Sequence, residues 1–499
     1  MNESKMDIEV LNANPRRCQF NRIEFWLNGK RVREEIPPAM TTLEFLHRQR
    51  HLYGTKCSCN EGDCGACTVV LAYPREGGIV YESVNSCLFN AAKLHGKHLI
   101  TVEALGTPEA LHPIQSAMLA FHGIQCGYCT PGFVMSMFAL FASVTNPSAE
   151  GILANLEGNL CRCTGYDSIL KAARFIADNY RSSDIVPAWC RAIEAELLAF
   201  DLPMEYIERE TDRLYPCQAY HVPASLRELF LVTSQNEVHT LINGGTDIMV
   251  QMSIQRRHYP ILIDLSQIEG LDIIYPREEG IYIGANVTYS QIMRSEVIKT
   301  GLPILIEMTR KIASEQIRNF GTLTGNIANA SPVGDMLPLL LVLNAELVLE
   351  SKDAMRKLPL AEYFLEYRKT ALEEGEIIVG VLIPSLPPNV FVRCQKAAKR
   401  KAVDISAVAS AIYINTVDGI VQAARLAYGG VAEVPILSKQ FHKAMINMEL
   451  QGLHVDAIAD FVANEFNPIS DVRGSEEYRR KAVRNQLFVY LKEFLGVAR

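Results

Sequence analysis

Five cysteines between residues 57 and 87 constrain the fold of this chain more than any other feature of its sequence. Cys59, Cys64 and Cys67 follow the spacing C-x4-C-x2-C, and Cys87 comes after nineteen further residues. This spacing is typical of plant-type [2Fe–2S] sites, in which three ligands share one loop and the fourth is distant. Because four thiolates must converge tetrahedrally on two irons, the sequence predicts a tight loop that meets the segment around Cys87.

Zinc is the alternative metal for this set, and the spacing argues against it. Structural zinc sites usually take two C-x2–4-C pairs, and no second pair surrounds Cys87. Cys57 is set aside because using it in place of Cys59 would stretch the first interval to six residues. Gly62 and Gly65 allow the loop to turn through positive φ and to bring peptide N–H groups near the sulfurs, where they stabilise an anionic cluster.

A second set of four cysteines follows in the next part of the chain. Cys126 and Cys129 form a C-x2-C pair, and Cys161 and Cys163 form a C-x-C pair after thirty-one intervening residues. The sequence predicts that both pairs lie in loops between helices, where they could hold one more metal centre. From the spacing alone, a zinc ion and a second iron–sulfur cluster both stay open.

The composition excludes several classes of protein. A net charge of −7 over 499 residues gives no basic surface for nucleic acid. The longest apolar runs, 133–144 and 336–343, are shorter than the ~20 residues that a bilayer crossing requires, so no membrane span is expected. The N-terminus lacks the apolar segment of a secretory signal. This predicts a cytoplasmic protein whose thiols stay reduced and available to metals.

Local patterns indicate a small, mostly β domain followed by helices. Asn28-Gly29 predicts a β-hairpin, and Thr41 with Glu44 predicts a capping box ahead of a short helix. Helical patterns come next, with Thr130 as the predicted N-cap of the helix that begins after the first cysteine pair of the second set.

The chain is too long for one core, so several domains are expected. From about residue 220 onward the patterns are mixed α/β. The predicted boundaries are 20–105 for the mostly β domain, 106–182 for the helical domain, 183–219 for a linker with one helical piece, 220–386 for an α/β domain and 387–499 for a C-terminal α/β domain.

Two glycine-containing stretches favour a backbone that approaches a ligand closely. Residues 241–250 contain adjacent glycines, whose peptide N–H groups could cradle a pyrophosphate. An ordinary tight turn is the alternative there, since the stretch is not a G-x-G-x-x-G motif. Residues 316–340 alternate glycines and small polar residues before an apolar helix. Loops of this length are uncommon unless they are functional.

The order of these motifs resembles the iron–sulfur and flavin half of the molybdenum hydroxylases, the family of xanthine dehydrogenases and aldehyde oxidases. The resemblance rests on both cysteine sets, including C-R-C-T-G-Y at 161–166, and covers residues 20–180 and 220–495. It implies a multidomain α+β fold with a β-grasp ferredoxin-like domain, a four-helix [2Fe–2S] domain, an α/β FAD-binding domain of vanillyl-alcohol-oxidase type and a small C-terminal α/β domain.

The resemblance also implies two [2Fe–2S] clusters and one FAD, with residues for each. Cys59, Cys64, Cys67 and Cys87 would hold one cluster, and Cys126, Cys129, Cys161 and Cys163 would hold the other. The FAD diphosphate would lie on Leu241, Ile242, Asn243, Gly244, Gly245, Thr246, Asp247 and Ile248. The adenine would lie near Ile312 and Ala313, although residue 312 is aliphatic where some relatives place an aromatic ring. The ribityl chain and the flavin would contact Phe320, Gly321, Thr322, Gly325, Asn326 and Asp335, with Ile377, Ile378 and Lys396 completing the pocket.

By the same resemblance, this chain is expected to be the electron-transfer subunit of a xanthine dehydrogenase-like enzyme. No catalytic residue for hydroxylation is predicted in it, because the molybdenum cofactor would lie on a separate large subunit. Gln125 would face that cofactor, or would simply cap a helix end. The expected assembly is a dimer of heterodimers, and the expected path of electrons is from molybdenum through the two clusters to FAD and then to NAD⁺.

Alternatives stay open at this point. The chain could be a stand-alone FAD and iron–sulfur reductase, the small subunit of a related N-heterocycle or aldehyde hydroxylase, or a zinc-stabilised scaffold. Xanthine or hypoxanthine is the expected substrate of the assembled enzyme, with nicotinate, another N-heterocycle or an aldehyde as alternatives.

Overall fold

The N-terminal sheet begins with the hairpin that the sequence predicts. Leu27 pairs with Lys30, and both turn residues, Asn28 and Gly29, have positive φ (51° and 81°), as a type I′ turn requires. The five strands lie in the order Lys30–Glu35, Arg22–Leu27, His98–Ile100, Thr68–Arg75 and Gly78–Asn85, with the second and third parallel and the other neighbours antiparallel.

This computed structural model describes residues 22–75, 77–202, 204, 206–208 and 217–497. The first two residues of the predicted domain 20–105, part of the predicted linker and the last two residues of the chain lie outside the described residues. The predicted capping box is confirmed, because Thr41 and Glu44 cap each other at the short helix Thr42–Glu44, which continues as a π-helical turn over Phe45–Gln49.

The helical domain contains four main helices, Pro113–Ala120, Thr130–Ser143, Ala149–Leu156 and Asp167–Asn179. The second is buried at every position from Gly132 to Phe141 and shares an apolar core with the strands of the first sheet. The prediction of Thr130 as N-cap is wrong. Cys129 precedes the helix with backbone angles that are already helical, and the Thr130 hydroxyl is buried without a partner.

The predicted linker contains more structure than the one helical piece expected. It contains three short helices, Ser182–Ile185, Ala188–Ala192 and Glu194–Leu198, of which the first begins one residue earlier, and the strand Tyr206–Glu208. Ile193 and Leu197 pack against Trp26 of the first sheet. The segment is therefore docked on the N-terminal domain, because its apolar residues have a core to fill.

The α/β domain contains two sheets. The first has the order Tyr206–Glu208, Ala219–His221, Ile261–Asp264 and Thr240–Ile242, and its last three strands run parallel. The second is antiparallel in the order Ile274–Arg277, Gly280–Gly284, Ile377–Pro384, Glu346–Glu350 and Met355–Pro359. A two-stranded pair joins Phe364–Glu366 to Lys369–Thr370.

Helices cover both sheets of this domain. The largest apolar core of the protein lies beneath them and includes the fully buried Leu340. The helices are Leu226–Gln235, Ile248–Ser253, Tyr289–Arg294, Glu296–Gly301, Pro303–Thr309, Glu315–Arg318, Leu323–Ala328, Leu337–Val342 and Leu360–Tyr363.

The C-terminal domain is an antiparallel sheet backed by helices. Its strands follow the order Phe391–Ala397, Val408–Val417, Ile420–Gly429 and Ile436–Leu437. The helices Lys439–Met445, Val455–Ala463 and Glu476–Phe494 pack on one face. Across the described part of the chain, no helix is both long and apolar enough to cross a membrane.

A buried arginine ties the helical domain to the α/β domain. The Arg318 side chain is only 2% exposed, and its guanidinium lies 3.3 Å from carboxylate oxygens of Glu157 and Glu315. It also donates to the carbonyl oxygens of Ile312 (2.9 Å) and Ala313 (3.1 Å). Since a buried charge must be paired to be tolerated, this contact fixes residues 312–318 against the helical domain.

We expect Arg318→Met to lower the free energy of unfolding by about 3–5 kcal/mol, because it leaves buried acceptors without their donor. Arg310→Met, at an exposed position in the same stretch, should change it by less than about 0.5 kcal/mol. Urea unfolding of both variants measures the difference. Equal effects of the two substitutions would show that Arg318 does not stabilise this junction.

Candidate functional site

The first cysteine set is assembled by a hairpin. Cys67 directly precedes the strand Thr68–Arg75, and Cys87 follows the strand Gly78–Asn85. Because Thr68 pairs with Asn85 in this hairpin, the Cys67 and Cys87 sulfurs meet at 3.3 Å. Both of these residues are buried.

The other two cysteines of this set form a second pair on the loop. The Cys59 thiol donates a hydrogen bond to the Cys64 sulfur, which lowers the pKa of Cys64 to about 6 and raises the pKa of Cys59. This pair lies close enough to Cys67 for their charges to interact. All four predicted ligands of the first set therefore lie together, and Cys57 lies beside them with an exposed side chain.

Peptide N–H groups point at these sulfurs, as the loop glycines predict. Gly62 and Gly65 have φ of 79° and 68°. Peptide groups of Glu61, Gly62 and Ala66 hydrogen-bond to the sulfurs of Cys59, Cys87 and Cys64, respectively. The Asn85 amide adds a side-chain donor 3.8 Å from the Cys67 sulfur, which the sequence analysis missed.

The second cysteine set also consists of two pairs. The Cys126 and Cys163 sulfurs lie 3.7 Å apart and are exposed, and the Cys129 sulfur is hydrogen-bonded to Cys161. The Thr164 hydroxyl donates to the Cys161 sulfur at 3.1 Å. Burial raises the pKa of Cys161, but the hydrogen bonds from Thr164, Cys163 and Cys129 together outweigh this effect and lower that pKa. Thr164 was missed as well, although it lies in the C-R-C-T-G-Y motif.

The pairing indicates which kind of metal centre fits. In each set the sulfurs lie together in two pairs. Two thiolates on one tetrahedral metal lie ~3.8 Å apart when each metal–sulfur bond is ~2.3 Å, close to the separations of 3.3 and 3.7 Å seen here. Each set therefore suits two metals with two cysteines apiece, the arrangement of a [2Fe–2S] cluster, better than one zinc ion.

The two cysteine sets touch through the backbone. Leu160 donates its peptide N–H to the Cys64 carbonyl at 2.9 Å, and Cys161 is the next residue. A Cβ atom on Gly132 would lie only 2.3 Å from the Gly65 carbonyl oxygen, and one on Gly65 would lie 2.3 Å from the Gly158 carbonyl oxygen. Only glycines permit the loop of the first set to lie this close to the second.

The two glycine-containing stretches of the α/β domain meet each other. A Cβ on Gly244 would lie 2.1 Å from the Phe320 carbonyl oxygen, and the Thr246 methyl group lies beside Gly321. Within the described residues, the peptide N–H groups from Gly244 to Asp247 have no acceptor. Such a row of free donors fits a diphosphate, so the residues present fit the FAD predicted here.

Two further residues predicted to bind FAD, Asp335 and Lys396, are paired with each other. Lys396 donates to Asp335 (2.7 Å) and to the Lys311 carbonyl beside Ile312 (2.9 Å). The Asn326 side-chain oxygen and the Tyr289 hydroxyl are buried and have no hydrogen-bond partner. Buried polar groups are normally hydrogen-bonded, so these two are available to bind a ligand. Tyr289 was not predicted from the sequence.

The apolar residues predicted for this pocket divide between two cores. Ile378 shares a core with Ile312, and Ile377 shares another with Leu241. The Ile242 side chain is only 1% exposed inside the core of the first domain. Its contact with a ligand would therefore come from the backbone alone.

A lysine of the first domain reaches residues 241–248, the stretch predicted to bind the FAD diphosphate, and no sequence motif indicates this contact. Lys93 forms an ion pair with Asp264 at 3.0 Å and also donates to the Asn243 carbonyl. Tyr220 donates to the other Asp264 oxygen at 2.6 Å. Both charged side chains are at least nine-tenths buried. No local pattern could indicate this pair, because its members lie 171 residues apart.

Comparison with known proteins identifies the modules. Four family profiles match in order: a 2Fe-2S iron–sulfur cluster binding domain at 25–88, a [2Fe-2S] binding domain at 101–174, the FAD binding domain in molybdopterin dehydrogenase at 214–386 and the CO dehydrogenase flavoprotein C-terminal domain at 393–494. In this order they match the small-subunit architecture of the xanthine dehydrogenase and CO dehydrogenase family of oxidoreductases. The chain thus contains iron–sulfur and FAD domains, and the expected multidomain α+β fold is confirmed.

Several members of this family are similar over nearly the whole chain. The xanthine dehydrogenase of Calliphora vicina is 30% identical over 96% of this chain and 39% of its own length. Aldehyde oxidase 2 of Rattus norvegicus is 30% identical over 95% of this chain and 39% of its own length. The chain thus spans about two-fifths of the curated relatives that it matches.

Solved structures of the family have the same fold over part of this chain. A chain of the reconstituted CO dehydrogenase from Oligotropha carboxidovorans is 26% identical, with a TM-score of 0.53, and the match covers 58% of this chain and all of that one. A chain of the CO dehydrogenase from Hydrogenophaga pseudoflava is also 26% identical, with a TM-score of 0.52, over 54% of this chain and 94% of that one.

The first prediction for this site concerns the cysteine ligands. Cys64→Ser should abolish one of two iron–sulfur signals in electron paramagnetic resonance, because it removes one of the paired thiolates. Cys57→Ser is the matched control, since Cys57 is exposed and belongs to neither pair; both signals should persist. Two intact signals in Cys64→Ser, or a lost signal in Cys57→Ser, would overturn the ligand assignment.

The second prediction concerns the flavin. Lys93→Met should weaken FAD binding by at least about tenfold, or 1.4 kcal/mol, because it leaves the buried Asp264 carboxylate unpaired beside the diphosphate stretch. The double variant with Asp264→Asn should recover part of the lost affinity for FAD, because it removes the unpaired carboxylate charge. Fluorescence titration of the flavin-free chain measures both, with Lys30→Met at an exposed position as the control. Wild-type affinity in Lys93→Met would contradict the prediction.

Proposed function

We propose that this chain is the electron-transfer subunit of a two-chain molybdenum hydroxylase, with the molybdenum cofactor on a separate large subunit. Cys59, Cys64, Cys67 and Cys87 hold one [2Fe–2S] cluster, and Cys126, Cys129, Cys161 and Cys163 hold the other. When bound, the clusters carry single electrons and the FAD exchanges two, which joins one-electron flow to hydride chemistry. The observation that carries the proposal is the unbroken contact from the second cysteine set through the first to the flavin stretches.

The first half of that contact is the hydrogen bond between Leu160 and Cys64. The second half consists of contacts between the first set and the residues around the predicted flavin site. A Cβ on Gly62 would lie 3.0 Å from the Ile317 methyl group, and the Phe89 ring packs edge-on against Phe320 at 5.5 Å. Phe89 lies two residues after Cys87, and Phe320 lies in the predicted flavin site. Both contacts support a path in which the first set passes electrons between the second set and the flavin, and Cys67 and Cys87 are buried.

The exposed side of the second cysteine set is the proposed contact with the large subunit. Gln125, Cys126 and Cys163 are exposed. Tyr128 (47% exposed) and Tyr166 (38% exposed) flank them. An iron–sulfur site left open on one side, with aromatic rings beside it, suits a partner that covers it. By this proposal Gln125 faces the molybdenum cofactor.

The acceptor and the substrate are proposed from the relatives. Xanthine dehydrogenases are among them, so we propose xanthine or hypoxanthine as the substrate of the assembled enzyme and NAD⁺ as the acceptor. An aldehyde is the second candidate, because aldehyde oxidase 2 is similarly related. The reduced thiols that the clusters need fit a cytoplasmic location, and the proposed assembly is a dimer of heterodimers.

Metal and flavin analysis of the aerobically purified chain tests the cofactors. We expect a brown protein with about four irons and one FAD. A colourless protein that contains zinc would contradict the proposal and favour a zinc-stabilised scaffold.

Reconstitution with a molybdenum-containing large chain tests the role as a subunit. In the assembled complex, xanthine should bleach the flavin absorbance, whereas the chain alone should not respond to xanthine. Cys126→Ser should prevent bleaching in the complex while direct reduction of the flavin by NADH persists. Bleaching by xanthine without the large chain would contradict the proposal that the substrate reacts on a separate subunit.

A further inference from the structure

A buried asparagine joins all three parts of the proposed relay. The Asn159 amide nitrogen donates to the Gly65 carbonyl at 3.1 Å and lies 3.4 Å from the Thr68 hydroxyl. Its oxygen accepts from the Ser136 hydroxyl at 2.7 Å and from the Gln316 amide at 2.9 Å. Asn159, Ser136 and Gln316 are each at most 2% exposed. This network does not depend on solvent.

Each partner belongs to a different functional segment. Gly65 lies between two cysteines of the first set, and Ser136 lies on the helix that follows Cys129. Gln316 lies four residues before Phe320 in the predicted flavin site and also donates to Ser136 at 3.0 Å. Asn159 itself is two residues before Cys161. A single side chain therefore contacts segments that carry the first cluster, the second cluster and the flavin.

The polarity of the site suits asparagine in particular. A donor is required toward the Gly65 carbonyl, and an acceptor is required toward Ser136 and Gln316, and one amide provides both. Aspartate would place an oxygen against the Gly65 carbonyl, and leucine would leave every partner unsatisfied at a site where unpaired polar groups are costly. Glycine at 158 is required as well, since a Cβ there would lie 2.2 Å from the Gln316 amide oxygen.

We propose that Asn159 is a positioning residue that fixes the distance between the two cysteine sets and their separation from the flavin stretch. It binds no metal and acts through Gly65, Ser136 and Gln316. The proposal rests on the function proposed above and names a residue that sets the geometry of the relay.

The experiment uses the full chain loaded with iron, sulfide and FAD. After complete reduction, electron paramagnetic resonance measures the integrated intensity of each cluster signal and the dipolar coupling between them. We expect Asn159→Leu and Asn159→Asp to keep both intensities and to show weaker coupling than the wild type, because the loop of the first set moves away from residues 158–160. The control is Asn155→Leu, at a buried asparagine whose side-chain oxygen has no partner; its coupling should equal that of the wild type.

The outcomes separate the two proposals. Two cluster signals with unchanged coupling in Asn159→Leu would overturn the positioning role and leave the electron-transfer function intact. Absence of cluster signals from the wild type would overturn the function itself. If Asn159→Leu loses a cluster, the Gln316→Leu variant tests the positioning role instead. It removes the hydrogen bond from Gln316 to Asn159, and residue 316 lies in a segment without cysteines. Weaker coupling in that variant supports the proposal, and unchanged coupling overturns it.

Discussion

The contact between residues 64–65 and residues 158–160 determines the arrangement of the rest of the molecule. It consists of the Leu160 hydrogen bond to Cys64 and the Asn159 hydrogen bond to Gly65. Glycines at the points of closest approach leave no room for a side chain. Because electron transfer weakens steeply with distance, two redox centres in separate domains need such a contact to act in sequence.

The interfaces around this contact contain buried polar groups. Their ion pairs and hydrogen bonds fix the orientation of the domains as well as holding them together. The ion pairs of Arg318 with Glu157 and of Lys93 with Asp264 both join the α/β domain to the domains before it. Buried polar networks rigidify a structure when every member is satisfied and destabilise it when one partner is removed. The proposed relay thus depends on a few specific polar pairs at the domain junctions.

Local spacing predicted much of this structure. The hairpin at Asn28-Gly29, the capping box at Thr41 and the gathering of the first cysteine set all depend on neighbours in the chain, so sequence patterns indicate them directly. The Thr130 N-cap was wrong because Cys129 is already helical. The linker contained more structure than expected because its packing against Trp26 depends on tertiary contacts. The partners of Lys93 and Asn159 lie far along the chain, and no period or motif marks them.

A reductive titration of the purified chain decides whether both cysteine sets hold redox-active clusters. Each proposed cluster accepts one electron and FAD accepts two, so we expect an uptake of about four electrons per chain. The flavin absorbance and both iron–sulfur signals should account for all of that uptake. An uptake of about two electrons, confined to the flavin absorbance, would show that the cysteine sets hold no redox-active clusters and that the chain is not the proposed electron-transfer subunit.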